Sequence, residues 1–173
     1  MKKTLIWVFA ALMMIMAVEM AFAESAVPAA EEAVIPEAAA ADPYAAERER
    51  VIAVVQAQMP DAEIDYAVRD RDDGRYEWNV FFRQNGVLGE AKVLEEGFEL
   101  RKVELFNQSR ADSLNAKQAM TKLVLDKGEM TIVDLGLDWD DGRLSYEGEA
   151  EMNGKRYEFE ITVDGVVVEW ERD

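Results

Sequence analysis

The amino-acid sequence predicts an α+β fold of two tandem repeats, each one helix followed by a four-stranded antiparallel meander. Three observations carry this. Asp70-Arg71-Asp72-Asp73-Gly74-Arg75 recurs as Asp138-Trp139-Asp140-Asp141-Gly142-Arg143, displaced by 68 residues. The same displacement carries Asn85-Gly86 onto Asn153-Gly154 and Gly97 onto Gly165. Between these turn signals, apolar and polar residues alternate with the two-residue period of half-buried strands. Turn signals that share one register mark a duplicated structural unit.

The chain opens on a segment that reads as a secretory signal, residues 1–23. Lys2 and Lys3 form a basic start, Thr4 to Val18 is apolar, and Ala21-Phe22-Ala23 supplies the small-x-small cleavage pattern. The uncharged run ends at Glu19, short of the roughly 20 apolar residues a spanning helix needs. The expectation is export to the periplasm or beyond after cleavage near Ala23, with no stable membrane anchor. The sequence holds no cysteine, so no lipid-attachment cysteine, disulfide or thiolate metal site is available. Residues 24–43 are rich in alanine, proline and glutamate and lack aromatic residues, the composition of a flexible leader.

The first unit is expected over residues 44–106. Ala45 to Gln58 reads as an amphipathic helix with Val51, Ile52, Val54 and Val55 on its apolar side, ended by Met59-Pro60. Ile64, Tyr66 and Val68 then alternate into the Asp72-Asp73-Gly74 turn, and Tyr76, Trp78, Val80 and Phe82 line a second strand. Asn85-Gly86 is a strong hairpin signal, because both central residues of a type I′ turn need positive φ. A third strand from Val87 to about Glu95 turns at Gly97 into a fourth that ends near Phe106.

The second unit is expected over residues 107–173. Asp112 or Ser113 can cap a helix carrying Leu114, Ala116, Met120 and Leu123, which stops near Lys127-Gly128. Its strands alternate cleanly. Leu144 and Tyr146, then Tyr157, Phe159, Ile161 and Val163, then Val166, Val168 and Trp170 form apolar rows. Their neighbours are Glu147, Glu149 and Glu151, then Glu158 and Glu160, then Glu169 and Glu171, a field of carboxylates on the other face. One mismatch interrupts the repeat. The first row, Ile64, Tyr66 and Val68, is one residue out of phase with Val133, Leu135 and Leu137, which calls for a bulge or a loop difference. A unit of about 60 residues is marginal alone, so the two are expected to pack together.

Charge narrows the partners. The chain carries 19 basic and 36 acidic residues and no histidine, a net charge of −17. Removing residues 1–23 takes away two lysines and one glutamate, leaving 17 against 35 and a charge of −18. Such a surface repels nucleic acid and anionic lipid and attracts basic proteins, polycations or divalent ions; it also serves solubility. Without histidine or cysteine, the usual base, metal ligand and thiol nucleophile are missing, and no cofactor motif or catalytic constellation stands out.

Three groups of residues are candidates for binding. Trp139 replaces Arg71 in an otherwise matching turn, where an aromatic is either a partner anchor or a cover for the end of the core. Phe81 and Leu88, with Leu94, lie on the nominally polar face of the first sheet, where either the second unit or the flexible leader covers them or they form an exposed patch for a protein partner. Glu147, Glu149, Glu158 and Glu160 form the acidic face of the second. A weaker alternative is a cation scavenger using Asp70, Asp72 and Asp73, or Asp138, Asp140 and Asp141. Against it, an EF-hand loop needs Gly at its sixth position, whereas Gly74 and Gly142 fall fifth. Asp and Gly are also ordinary turn residues.

A helix, a strand into a D-x-D-D-G turn, and Tyr-rich strands separated by N-G and D-G together resemble the PepSY domain. The second unit carries the resemblance most fully, in Leu114 to Met120, Asp138 to Arg143, Asn153 to Phe159 and Val163-Asp164-Gly165. Two such units are similar in plan to beta-lactamase inhibitory proteins, which present a concave sheet to an enzyme. The resemblance implies regulation or inhibition of an envelope or extracellular protein, possessing a basic surface on the charge argument, and no catalytic residue to carry over.

Overall fold

The structure, a computed structural model, describes residues 42–72 and 74–173. The expected signal peptide, the leader up to residue 41, and Asp73 lie outside the described residues. Helix α1 (Ala45–Gln58) leads into strands β1 (Glu63–Asp72), β2 (Arg75–Gln84), β3 (Val87–Leu94) and β4 (Glu99–Phe106). Helix α2 (Ala116–Lys127) leads into β5 (Thr131–Asp140), β6 (Arg143–Met152), β7 (Lys155–Thr162) and β8 (Val167–Arg172). The fold is therefore α+β, with two helices and two antiparallel four-stranded sheets in the orders β1-β2-β3-β4 and β5-β6-β7-β8.

The hairpin chemistry is the one the sequence encodes. Asn85 and Gly86 have φ of 52° and 83°, Asp141 and Gly142 47° and 79°, and Asn153 and Gly154 54° and 70°. Two consecutive left-handed residues define turns whose twist matches that of the flanking strands. The cap of α2 differs from expectation. Neither Asp112 nor Ser113 caps it; Asn115 does, accepting from the Gln118 N–H at 2.9 Å while the Gln118 side chain accepts from the Asn115 N–H at 3.0 Å. The Ser113 hydroxyl instead accepts from the Arg110 N–H and closes the connector.

The phase mismatch between the units is resolved by a bulge in each. Pairing of β1 with β2 shifts between Ile64 and Tyr66, and pairing of β5 with β6 shifts between Ile132 and Asp134, again 68 residues apart. Each bulge moves the following residues to the opposite face. Ile64 and Ala67 therefore face α1 with Val51, Val55, Trp78, Val80, Phe82, Ala91 and Val93. Tyr66 and Val68 face away, so Ile64, Tyr66 and Val68 do not form one row as expected. In the second unit Ile132, Leu135 and Leu137 take the positions equivalent to Ile64, Ala67 and Arg69, and the repeat stays in register.

The second core joins the two sheets. Val68, Phe81, Leu88 and Phe106 of the first sheet pack with Ala116, Ala119, Met120 and Leu123 of α2 and with Leu135, Tyr146 and Phe159 of the second sheet. Phe81 meets Tyr146 edge-on at 6.0 Å between ring centroids. The mixed face of the first sheet is thus an internal seam. Phe81 and Leu88 are each 1% exposed and are not a partner patch; the alternative reading, that the second unit covers them, is the one the structure adopts.

Candidate functional site

Strand β5 lies across the inner face of the first sheet and is held there by side chains. It pairs only with β6, which leaves outward-pointing backbone groups that must find partners when buried. The Asn79 side-chain amide donates to the Leu135 carbonyl at 2.9 Å. Glu90 accepts from the Leu137 N–H at 3.2 Å. A third clamp joins the start of α2, where Asp65 accepts from the Lys117 N–H at 3.3 Å.

Burial raises the pKa of these seam acids. Removal from water is the main cause for Glu90, pushed up to about 7 against the opposing Leu137 hydrogen bond and Lys92 and Lys102 charges. Asp65 is pushed up to about 6 for the same reason, against hydrogen bonds from Lys117 and Ala116. Lys92 neutralises the seam locally, with its Nζ 3.3 Å from Glu77 and 4.0 Å from Glu90.

Beside the seam, the two sheets enclose an open trough of about 510 Å³. The first sheet contributes Asp70, Asn79 and Lys92. The second contributes Asp134, Gly136 and Gly148 together with Glu147, Glu149, Glu158, Glu160 and Glu169. Seven carboxylates therefore face a single ammonium, and that ammonium is already engaged by Glu77. Burial, with Asp70 and Glu149 alongside, raises the Asp134 pKa to about 6. Burial and the neighbouring Asp138 and Glu160 raise that of Glu147. An adjoining pocket shares Asp70, Asp134 and Glu149 and is bordered by Arg69, Arg71, Tyr76 and Arg156. Arg69 stacks over Tyr76 at 3.6 Å and is gripped by both Glu95 oxygens.

The strand register sets the glutamates directly against one another. Glu147 is opposite Glu160 and Glu149 opposite Glu158, and across the next ladder Glu160 faces Glu169 and Glu158 faces Glu171. Like charges directly opposed in a sheet are destabilising. Arg156, 2.8 Å from Glu149, and Arg143, 3.9 Å from Glu160, offset part of this. Gly148 is required at the same place, because a Cβ there would collide with the Asp134 carbonyl thrown inward by the β5 bulge.

The sequence-derived candidates divide accordingly. Glu147, Glu149, Glu158 and Glu160 are brought together as the wall of the trough. Trp139 is 42% exposed, sits opposite Leu144 at the β5–β6 tip, and does not line the trough. Of the two Asp sets, Asp73 and the Asp72 side chain lie outside what the structure describes; Asp70 lines the trough, Asp141 is a left-handed turn residue, and Asp138 and Asp140 lie near Glu147. Among the described residues, no group of three or more acidic side chains converges to hold a metal ion. Asn79, Glu90 and Lys92 were not singled out as a clamp by the sequence. Their signal was the mixed character of a face whose equivalent in the second unit is predominantly acidic.

No family model matches the chain, and no curated protein matches it. Three solved structures are similar. One is a candidate lipoprotein from Clostridium difficile 630, with 16% identity and a TM-score of 0.40 over 70% of this chain and 90% of that one. Another is a DUF2874 family protein from Bacteroides ovatus ATCC 8483, with 13% identity and a TM-score of 0.30 over 71% and 85%. A BLIP-like protein from Bacteroides fragilis NCTC 9343 has 10% identity and a TM-score of 0.29 over 72% and 84%. No helix of the described residues is long and apolar enough to cross a membrane.

Proposed function

We propose that this chain is an exported, non-enzymatic binding module that regulates or inhibits an envelope protein by presenting the trough to a basic surface of that protein. One observation carries the reading: seven carboxylates line a concave surface in which the register opposes glutamate to glutamate across three strands. An arrangement that costs stability in the free protein is compensated when a cationic partner enters, and the field it projects steers such a partner toward it. The absence of histidine and cysteine supports a binding role over a catalytic one. The secretory pattern at the start of the chain supports an envelope setting.

The test is a paired capture from envelope extract on immobilised protein and on its Glu158→Gln/Glu160→Gln variant, at low and high salt. The expected result is a basic protein retained by the parent, released by salt, and lost from the variant. Equal retention by both, or retention insensitive to salt, refutes the assignment of binding to this trough.

A further inference from the structure

The repeat relates two faces that the fold uses in opposite ways. Displacement by 68 residues carries Asn79, Phe81, Leu88, Glu90 and Lys92 of the first sheet onto Glu147, Glu149, Arg156, Glu158 and Glu160 of the second. In the first sheet this face is occupied by an extended strand of the chain itself, β5, whose Leu135 carbonyl and Leu137 N–H are taken by Asn79 and Glu90. In the second sheet the same face is open, and carboxylates stand where the two clamping residues stood.

A second observation points to a donor-bearing occupant. Asn79, 2% exposed, lines the trough with its Nδ2 committed to Leu135, while its Oδ1 has no hydrogen-bond partner. A buried acceptor left unpaired is destabilising, and a donor reaching it from the trough would relieve that cost.

We infer that the open face of the second sheet receives an extended peptide strand with basic side chains at every second position, seated as β5 is seated on the first sheet. The spacing fits. Glu147 and Glu158, which stand where Asn79 and Glu90 clamp Leu135 and Leu137, are diagonal neighbours on adjacent strands about 7 Å apart, and same-face side chains of an extended peptide repeat at about 6.7 Å. The chemistry also fits. Where Phe81 and Leu88 meet apolar side chains from β5 and α2, their equivalents Glu149 and Arg156 are already paired to each other, so the surface is polar throughout and an apolar strand gains nothing there. This rests on the proposed basic partner and adds the conformation and spacing of the segment recognised.

The experiment compares three probes by titration calorimetry on the whole protein at low salt. They are the acetylated, amidated peptide Lys-Ser-Lys-Ser-Lys-Ser-Lys, its isomer Lys-Lys-Lys-Lys-Ser-Ser-Ser, and spermine, all of equal formal charge. An extended alternating peptide sets all its ammoniums on one face, while the blocked isomer divides them between two. Binding of the alternating peptide about tenfold tighter than either comparator is expected. It should fall to the blocked isomer's level in Glu147→Gln/Glu158→Gln, whose substitutions relieve like-charge pairs and leave the core untouched. Equal affinity for the two peptides, or spermine binding as tightly, overturns the strand inference and leaves the basic-partner reading standing. No binding of any probe overturns both.

Discussion

Replacing Glu90 by Gln tests whether the seam between the sheets is held by an acid that is neutral when folded. Glu90 is 7% exposed, accepts one hydrogen bond from the Leu137 N–H, and has an unpartnered Oε1. Its pKa rises from an ordinary 4.5 to about 7. Between those values the folded protein holds a proton that the unfolded chain has released, so stability falls as pH rises through this window and levels off above it. At 1.36 kcal/mol for each tenfold change in proton affinity, ionisation of this one group costs the folded state about 3 kcal/mol at pH 8. At pH 5 the same expression leaves less than about 1 kcal/mol.

Gln keeps the carbonyl that accepts from Leu137 and never ionises. The variant should therefore gain roughly 2–3 kcal/mol relative to the parent between pH 5 and pH 8. Any fixed difference between Gln and a protonated Glu cancels in this comparison. Urea unfolding at four pH values across the window reads the quantity directly, with equal m-values confirming that the same surface is exposed. Lys92 and Lys102 oppose the shift and Glu104 adds to it, so high salt should alter its size without reversing it. A gain that is the same at pH 5 and pH 8, to within about 0.5 kcal/mol, would refute the idea that Glu90 is neutral at the seam.

The Glu158→Gln/Glu160→Gln variant should be more stable than the parent at low salt, by roughly 0.2–1 kcal/mol for each opposed pair relieved, and the advantage should shrink in molar salt. Thermal unfolding at two ionic strengths checks this. Gly148→Ala forces a methyl group against the Asp134 carbonyl and should cost about 1–3 kcal/mol in urea unfolding, whereas Gly136→Ala, with open space around it, should cost less. Asn115→Ala removes the cap and half of the capping box of α2 and should cost about 1 kcal/mol, measured the same way.

Local chemistry was legible in the sequence wherever it depended on neighbours in the chain. The Asn-Gly and Asp-Gly turns, both helices and the acidic alternation of β6 and β7 follow from residues a few positions apart. What depended on the other repeat was not. Asn79 and Glu90 read as solvated strand positions, because nothing nearby reveals that a backbone edge from 56 and 47 residues away will land on them. The bulges were detectable only as a phase error between the copies. Their identical placement could not be seen, because Tyr66 and Val68 are apolar and continue the row on paper although the bulge turns them to the other face. Phe81 and Leu88 were visible as anomalies on a polar face, and what covers them was decided by tertiary packing.

The two copies thus diverge at one set of positions for one physical reason. A sheet face that must be buried needs apolar side chains and a few polar clamps for the backbone it covers, and Phe81, Leu88, Asn79 and Glu90 meet both needs. A face that nothing in the chain covers needs neither, and charge alone would keep it soluble. Charge of both signs would do that without cost, yet five glutamates of the second sheet crowd the trough and oppose one another across its ladders. Solubility accounts for the presence of charge there and not for the excess of one sign or for its register. The proposed complementary occupant would account for both, which makes the open copy the first place to test for a partner.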